Sequence, residues 1–352
     1  MARNQTIFSE LTVAQAIGDC ELSKISNVDG DSSRKYEVEY LSRMERDPQS
    51  IKELTKAGKK VRNWLINVKR IQNPKISWTG MEIDLDHSPV ARDLVILDTG
   101  VRISVKESAQ LFQNPSPVKV FEKWPKGEFG GSRDGDWFIT IASDELNDYY
   151  KACSGPSFTG QPNVEAYYEN VRGTTLNGEK QRKRFTDHVT NLHSQRNPRA
   201  IHAYQDFCDT VSELSAETFN TNLAMKFPEI RTGVFKVRNF INLISFFFKL
   251  DENEYVLCGT EEDRCFAVLM HNLTQWEEKF LLTNIEASPL PAGQPEVLIK
   301  FSFKDKTTNR QFDYLIQCQV RWSHGKFCGN PESKLYRYNS WSYTNLAWAI
   351  QI

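Results

Sequence analysis

The sequence predicts an α/β (α+β) protein: a mixed sheet flanked by helices, a helical insertion, and a β-rich C-terminal lobe. Three observations lead there. Helical periodicity dominates residues 1–75, strand-length apolar runs joined by turn residues begin at Ile76, and the chain beyond about residue 230 is a succession of short β-branched and aromatic runs. At roughly 150 residues per domain, 352 residues suffice for two globular units or one large one. Segments 1–150, 151–228 and 229–352 are the natural divisions. With 39% hydrophobic, 25% charged and 12% aromatic residues, disorder, collagen and coiled coil are excluded for the chain as a whole.

Each element has a local reason. Tyr36, Tyr40, Leu41 and Met44 recur at helical spacing after the polar start Asp29–Ser33. Ile51, Leu54, Val61, Leu65 and Val68 do the same after Asp47-Pro48. Strands are expected over 76–84, 91–97 and 101–108, the last two joined by the turn Asp98-Thr99-Gly100. A further strand is expected at Trp137–Ala142, after the Gly-rich loop Gly127–Asp136. Residues 160–227 read as polar helices, and strands are expected over 232–240, 243–250, 254–259, 265–271, 280–287, 297–304 and 313–322.

No run reaches the roughly 18 apolar residues of a membrane span, and the N-terminus lacks an apolar signal core, so a cytoplasmic protein with no membrane partner is expected. Seven cysteines, without a CxxC pair or a zinc-like Cys/His spacing, point to reduced thiols. Forty-four Lys and Arg against 45 Asp and Glu leave a net charge of −1, so a surface for a polyanion requires local segregation of charge.

The most specific cluster lies in the 91–108 hairpin. Asp93 ends a polar loop as an apolar strand begins; Ser104 and Lys106 follow on the returning strand, two apart and so on one sheet face. If Asp93 shares that face, the three converge. A carboxylate to hold Mg²⁺ and a lysine to orient water and offset charge are what metal-dependent phosphodiester hydrolysis requires. A solvated turn carboxylate beside an edge-strand lysine is the plainer alternative.

These residues resemble the PD-(D/E)XK nuclease superfamily, with Arg92-Asp93 in place of Pro-Asp and Ser104-Val105-Lys106 in place of (Asp/Glu)-X-Lys. Together with Phe121-Glu122-Lys123-Trp124, they look like the HaeIII-like group of type II restriction endonucleases; the resemblance covers about residues 30–145. It implies a restriction-endonuclease-like fold with residues 1–150 as the catalytic core, and Mg²⁺-dependent, sequence-specific cleavage of double-stranded DNA by a homodimer. A short GC-rich palindrome such as GGCC is the implied target. Asp93 would hold metal and Lys106 would position water. Ser104 departs from the pattern because serine brings no negative charge. Glu122 is the first choice for the replacement acid, as catalytic group and metal ligand. Glu107, Glu37, Glu39, Glu82, Asp84 and Asp86 are further choices, with Glu107 ranked lower because it should face the other side of the strand.

Cleavage at a sequence also needs phosphate and base contacts. Lys180, Arg182, Lys183, Arg184, Arg196 and Arg199, with His188 and His193 between them, could form a DNA-facing surface, as could Arg321, His324 and Lys326 in the tail; a solvated helix face is the alternative. No GxSxG, Walker A, HExxH or strand–helix GxGxxG motif offers another chemistry. Two competing expectations remain. One is a non-catalytic DNA-binding protein with a degenerate nuclease core, the other a related nuclease acting in repair or on modified DNA.

Overall fold

The computed structural model describes residues 2–79, 93–107, 111–124, 136–171, 176–228, 237–290, 293–338 and 341–352. It is mixed α/β. Helices α1 (Ala2–Gly18), α2 (Gly30–Arg46) and α3 (Pro48–Asn67) come first, then strands β1 (Ile76–Trp78), β2 (Leu94–Ile96), β3 (Val101–Lys106) and β4 (Leu111–Gln113). After a single π-helical turn, Lys119–Lys123, come α4 (Trp137–Ala152), α5 (Gly155–Thr159), α6 (Val164–Val171), α7 (Leu176–Ser194), α8 (Pro198–Lys226) and α9 (Val237–Phe248). The remainder is β5 (Tyr255–Glu261), β6 (Arg264–Met270), α10 (Leu273–Lys279), β7 (Phe280–Pro289), β8 (Glu296–Asp305), β9 (Gln311–Trp322), β10 (Pro331–Tyr338) and β11 (Ala349–Gln351). Among the described residues, no helix is long and apolar enough to cross a membrane, and none of the seven cysteines forms a disulfide.

The caps explain the early helices. Asp29 accepts from the Ser32 amide ahead of α2, and Asp47 accepts from the Ser50 amide ahead of α3, with Pro48 at the first helical position. One sheet runs β1-β2-β3-β5-β6-β11, antiparallel except for the parallel β3–β5 pair; the other is antiparallel, β4-β10-β9-β8-β7. The divisions at 150 and 228 therefore do not follow the sheets. β5, β6 and β11 from the last third complete the sheet begun by the 94–106 hairpin, while β4 joins the second sheet. Side chains of the first sheet pack two ways. Ile103, Val105, Val256 and Cys258 meet Leu11, Ala14, Leu54 and Val61 of α1 and α3; Tyr255, Leu257, Val268 and Met270 join the core shared with α4, α8, α9 and the second sheet.

Three expected strands are wholly or partly helical instead. Trp137–Ala142 opens α4, where Asp136 accepts from the Phe138 amide and Leu146, Tyr149 and Tyr150 continue the buried face against α8. Of the strands expected over 232–250, residues 237–248 form α9 instead, and 232–236 lie outside the described residues. Phe240, Leu243, Ile244 and Phe247 keep the helical i, i+3, i+4, i+7 spacing, but Phe246 and Phe248 are buried as well, so the run reads as continuously apolar. A short, fully buried apolar run has no periodicity that separates helix from strand.

Candidate active site

The β2–β3 hairpin does what its spacing suggested. Leu94 pairs with Ile103, and the Asp93 amide donates to the Ile103 carbonyl at 3.1 Å. Asp93 Oδ2 then accepts from the Val105 amide at 2.6 Å and from Ser104 Oγ at 3.1 Å. Ser104, almost fully buried, brings no charge, but its hydroxyl fixes the carboxylate that does. Lys106 ends β3 on the Ser104 side, and its backbone lies against β5 at Gly259. That closeness requires glycine: Gly259 has φ of +142°, and a Cβ there would stand 1.7 Å from the Lys106 carbonyl oxygen.

A buried carboxylate comes from α1. Glu10 is 6% exposed, sits in a helix whose Ile7, Phe8, Leu11, Val13 and Ala14 are all buried, and accepts from Trp78 Nε1 at 2.7 Å. Burial, and next the negative charge of Asp93, push its carboxyl up to about 8, while the Trp78 hydrogen bond and the Lys106 charge act the other way. Asp93, Glu10 and Lys106 thus share one electrostatic neighbourhood. A fourth group belongs to it: Lys249, just past the end of α9, lines a cavity with Ser104, Lys106, Tyr255, Trp341 and Tyr343. Burial, and then the nearby Lys106 charge, lower its ammonium to about 7, and Asp93 opposes them. Cys258, beside Val105 on the neighbouring strand β5, is held protonated by burial.

Glu122 is the acid expected from the resemblance. It lies in the π-helical turn packed on α8, where its backbone carbonyl accepts from Lys226, and no interaction among the described residues joins it to Asp93 or Lys106. Glu107 faces away as expected: it pairs with Arg43 and accepts from Ser9, and Arg43 also holds Glu39 at 3.0 Å. This buried ionic link ties α1 and α2 to the end of β3, next to Lys106. Glu37 is exposed on α2. Glu82, Asp84 and Asp86, like Arg92, lie outside the described residues.

The expected DNA contacts divide. Lys180, Lys183 and Arg184 on α7, Arg196 and Arg199 at the α7–α8 junction, and His324 in the tail are exposed, with Arg184 also over the Phe158 ring. Arg182 instead donates to the Val171 carbonyl, Arg321 pairs with Glu332 at 3.2 Å, and Lys326 lies over the Tyr204 ring at 4.3 Å. The two regions touch, because Thr186 Oγ1 donates to the Lys326 carbonyl. His188 stacks on Phe158, and His193, bonded to Tyr149 and lowered by burial to about 4, stays neutral.

The chain matches no known family model, no curated protein and no solved structure.

Glu10 and Lys249 were missed by sequence reasoning, though each carries a signal. Glu10 is a lone acid amid apolar residues on both sides of its helix, and Lys249 closes the most apolar run of the chain. A charge that the apolar pattern would bury stands out as an ordinary exposed one does not.

Proposed function

We propose that the protein is a Mg²⁺-dependent, sequence-specific endonuclease of double-stranded DNA. The observation that carries this reading is that Asp93 is fixed on β3 by Ser104 and the Val105 amide, beside Lys106, while buried Glu10 of α1 is bonded to Trp78, which pairs with Leu94 next to Asp93, so that the Asp93 and Lys106 charges act on Glu10. Burying a second carboxylate beside the first is costly unless a proton or a cation compensates it.

The donor set fits magnesium. Among the described residues, no three His, Cys, Asp or Glu side chains gather as a metal cage. Mg²⁺ is commonly bound by one or two carboxylates and completed by water and phosphate oxygens; here Asp93 and Glu10 would hold it. When bound, it polarises the scissile phosphate and offsets charge on the leaving oxygen. The chain's own residues do the rest. Ser104 and the Val105 amide orient Asp93, Trp78 orients Glu10, and Lys106 holds the attacking water and stabilises the charge that develops on the phosphoryl oxygens. A non-catalytic DNA-binding role is less well supported, because Glu10 supplies the acid that Ser104 lacks.

For DNA contact, the exposed cations Lys180, Lys183, Arg184, Arg196 and Arg199, with His324 beside them, support phosphate binding. A homodimer would match a palindromic site such as GGCC.

The test is incubation with unmethylated plasmid or phage DNA, in Mg²⁺ and in EDTA, beside Lys106→Ala, Glu10→Gln and Glu122→Gln. Discrete fragments that need Mg²⁺, vanish in the first two variants and persist in the third are expected. Intact DNA under every condition would overturn the proposal.

A further inference from the structure

Seven large hydrophobic side chains are exposed among the described residues, and three of them, Val38 at 59%, Leu41 at 66% and Met44 at 50%, belong to α2. Val68, Leu97, Met225 and Ile350 each stand on a different segment. An apolar side chain alone on a surface needs no explanation, but three on one helix do.

Helical geometry sorts α2 into two faces. At about 100° per residue, Ser32, Tyr36 and Arg43 share the side turned to the rest of the chain, and all three are buried. Arg34, Val38, Leu41 and Glu45 fall at i, i+4, i+7 and i+11 on the opposite side, and all four are exposed. That spacing is the seam of a two-helix contact. The ion pairs of α2 are made by Asp31, Lys35, Glu39, Arg43 and Arg46; Arg34 and Glu45 enter none among the described residues. The stripe is an apolar centre with an unmatched cation at one end and an unmatched anion at the other.

The order of the charges selects the occupant. A second α2 laid antiparallel across the first sets Val38 against the partner's Leu41 and Arg34 against the partner's Glu45, and each contact occurs twice. Parallel packing would set Arg34 on Arg34 and Glu45 on Glu45, which repel. Reciprocal contacts of this kind define an isologous two-fold interface.

We propose that the outward face of α2 is a dimerisation surface, on which two copies of this chain meet antiparallel through Val38 and Leu41, with Arg34–Glu45 pairs at both ends. This gives the homodimer of the endonuclease reading its surface, and it rests on that reading for the dimer's role in cutting. Arg43, on the inner face of the same helix, pairs with Glu107 next to Lys106, so in each copy the dimer helix abuts the site. A pair of 17-residue helices, each about 25 Å long, is smaller than a standard interface, so association in the micromolar range is expected.

Sedimentation equilibrium of the unaltered chain without DNA, from about 1 to 200 μM, should show a monomer–dimer equilibrium. Leu41→Glu should weaken it by about a hundredfold or more, because each dimer loses two apolar contacts and gains two charges in their place. Arg34→Glu and Glu45→Arg should each weaken it about tenfold, and the two together should restore it to within about threefold. Recovery by the swap is a result that simple damage to the helix would not give. A monomer at every concentration, a dimer untouched by Leu41→Glu, or a charge swap that did not recover the dimer would overturn the proposal. Cleavage by a chain that sediments as a monomer would leave the endonuclease reading standing without this contact. A dimer with the expected variant effects but no cleavage would bring down that reading and keep the contact.

Discussion

Replacing Glu10 by glutamine separates a functional acid from a structural one. Glutamine keeps the acceptor for Trp78 Nε1 and nearly the same volume, but removes the charge that burial and Asp93 oppose. The carboxyl is raised in the folded protein, from 4.5 to about 8. Below pH 4.5 it is protonated in both folded and unfolded chains and costs nothing. Between 4.5 and 8 the unfolded chain gives up its proton and the folded one does not, so stability falls as pH rises, and above 8 the full cost is present. At about 1.4 kcal/mol per pH unit, that interval sets a ceiling of about 5 kcal/mol, and a gain of about 1–5 kcal/mol is expected for Glu10→Gln at pH 8.5. The gain should vanish at pH 4. Urea denaturation at the two pH values, in EDTA, measures it. Mg²⁺ should stabilise the unaltered chain at pH 8.5, by about 2.7 kcal/mol at a hundredfold excess over its dissociation constant, but not the variant. A variant no more stable at pH 8.5 than at pH 4, relative to wild type, would refute the burial and charge argument. A variant that kept full cleavage would refute the role of Glu10 in the chemistry.

Other expectations follow from the same geometry. Trp78→Phe removes the hydrogen bond that holds Glu10 down, so the acid limb of the pH–rate profile should move to higher pH; an unmoved limb would separate Glu10 from the titration that controls rate. Gly259→Ala places a Cβ against the Lys106 carbonyl, and urea denaturation should show a loss of more than about 2 kcal/mol from backbone strain and displaced strand pairing. Glu107→Gln leaves buried Arg43 with Glu39 as its remaining charge partner and should cost about 3 kcal/mol; because Glu107 faces away from the site, the Mg²⁺-dependent rise in melting temperature should persist in calorimetry.

Much of the fold was legible because local rules agree with it. Asp29 and Asp47-Pro48 mark the starts of α2 and α3, and the Asp98-Thr99-Gly100 turn joins β2 to β3. In the second sheet, strict alternation along β8 and β9 gives one apolar face and one polar face, so the strands read plainly. Where both sides of an element are buried the pattern fails, as it does for α9 and for the first turns of α4. At the site, Asp93, Ser104 and Lys106 were legible because a hairpin joins neighbours in sequence. Glu122 was the first choice because the resemblance implies an acid recovered from a nearby helix; the π-helical turn that carries it packs on α8.

By itself, then, the sequence determined the mixed α/β class, the early helices, the alternating strands, and a hairpin that sets a carboxylate beside a serine and a lysine. Each of these rests on interactions within about a dozen residues, which spacing and turn chemistry encode. Only the tertiary structure decided that β5, about 150 residues after β3, lies parallel to it through Gly259, that the buried carboxylate of Glu10 from the first helix comes within reach of the Asp93 charge, and that Lys249 lines a cavity with Lys106. Those placements follow from which apolar surfaces cover one another across the whole chain, and no local pattern records that choice.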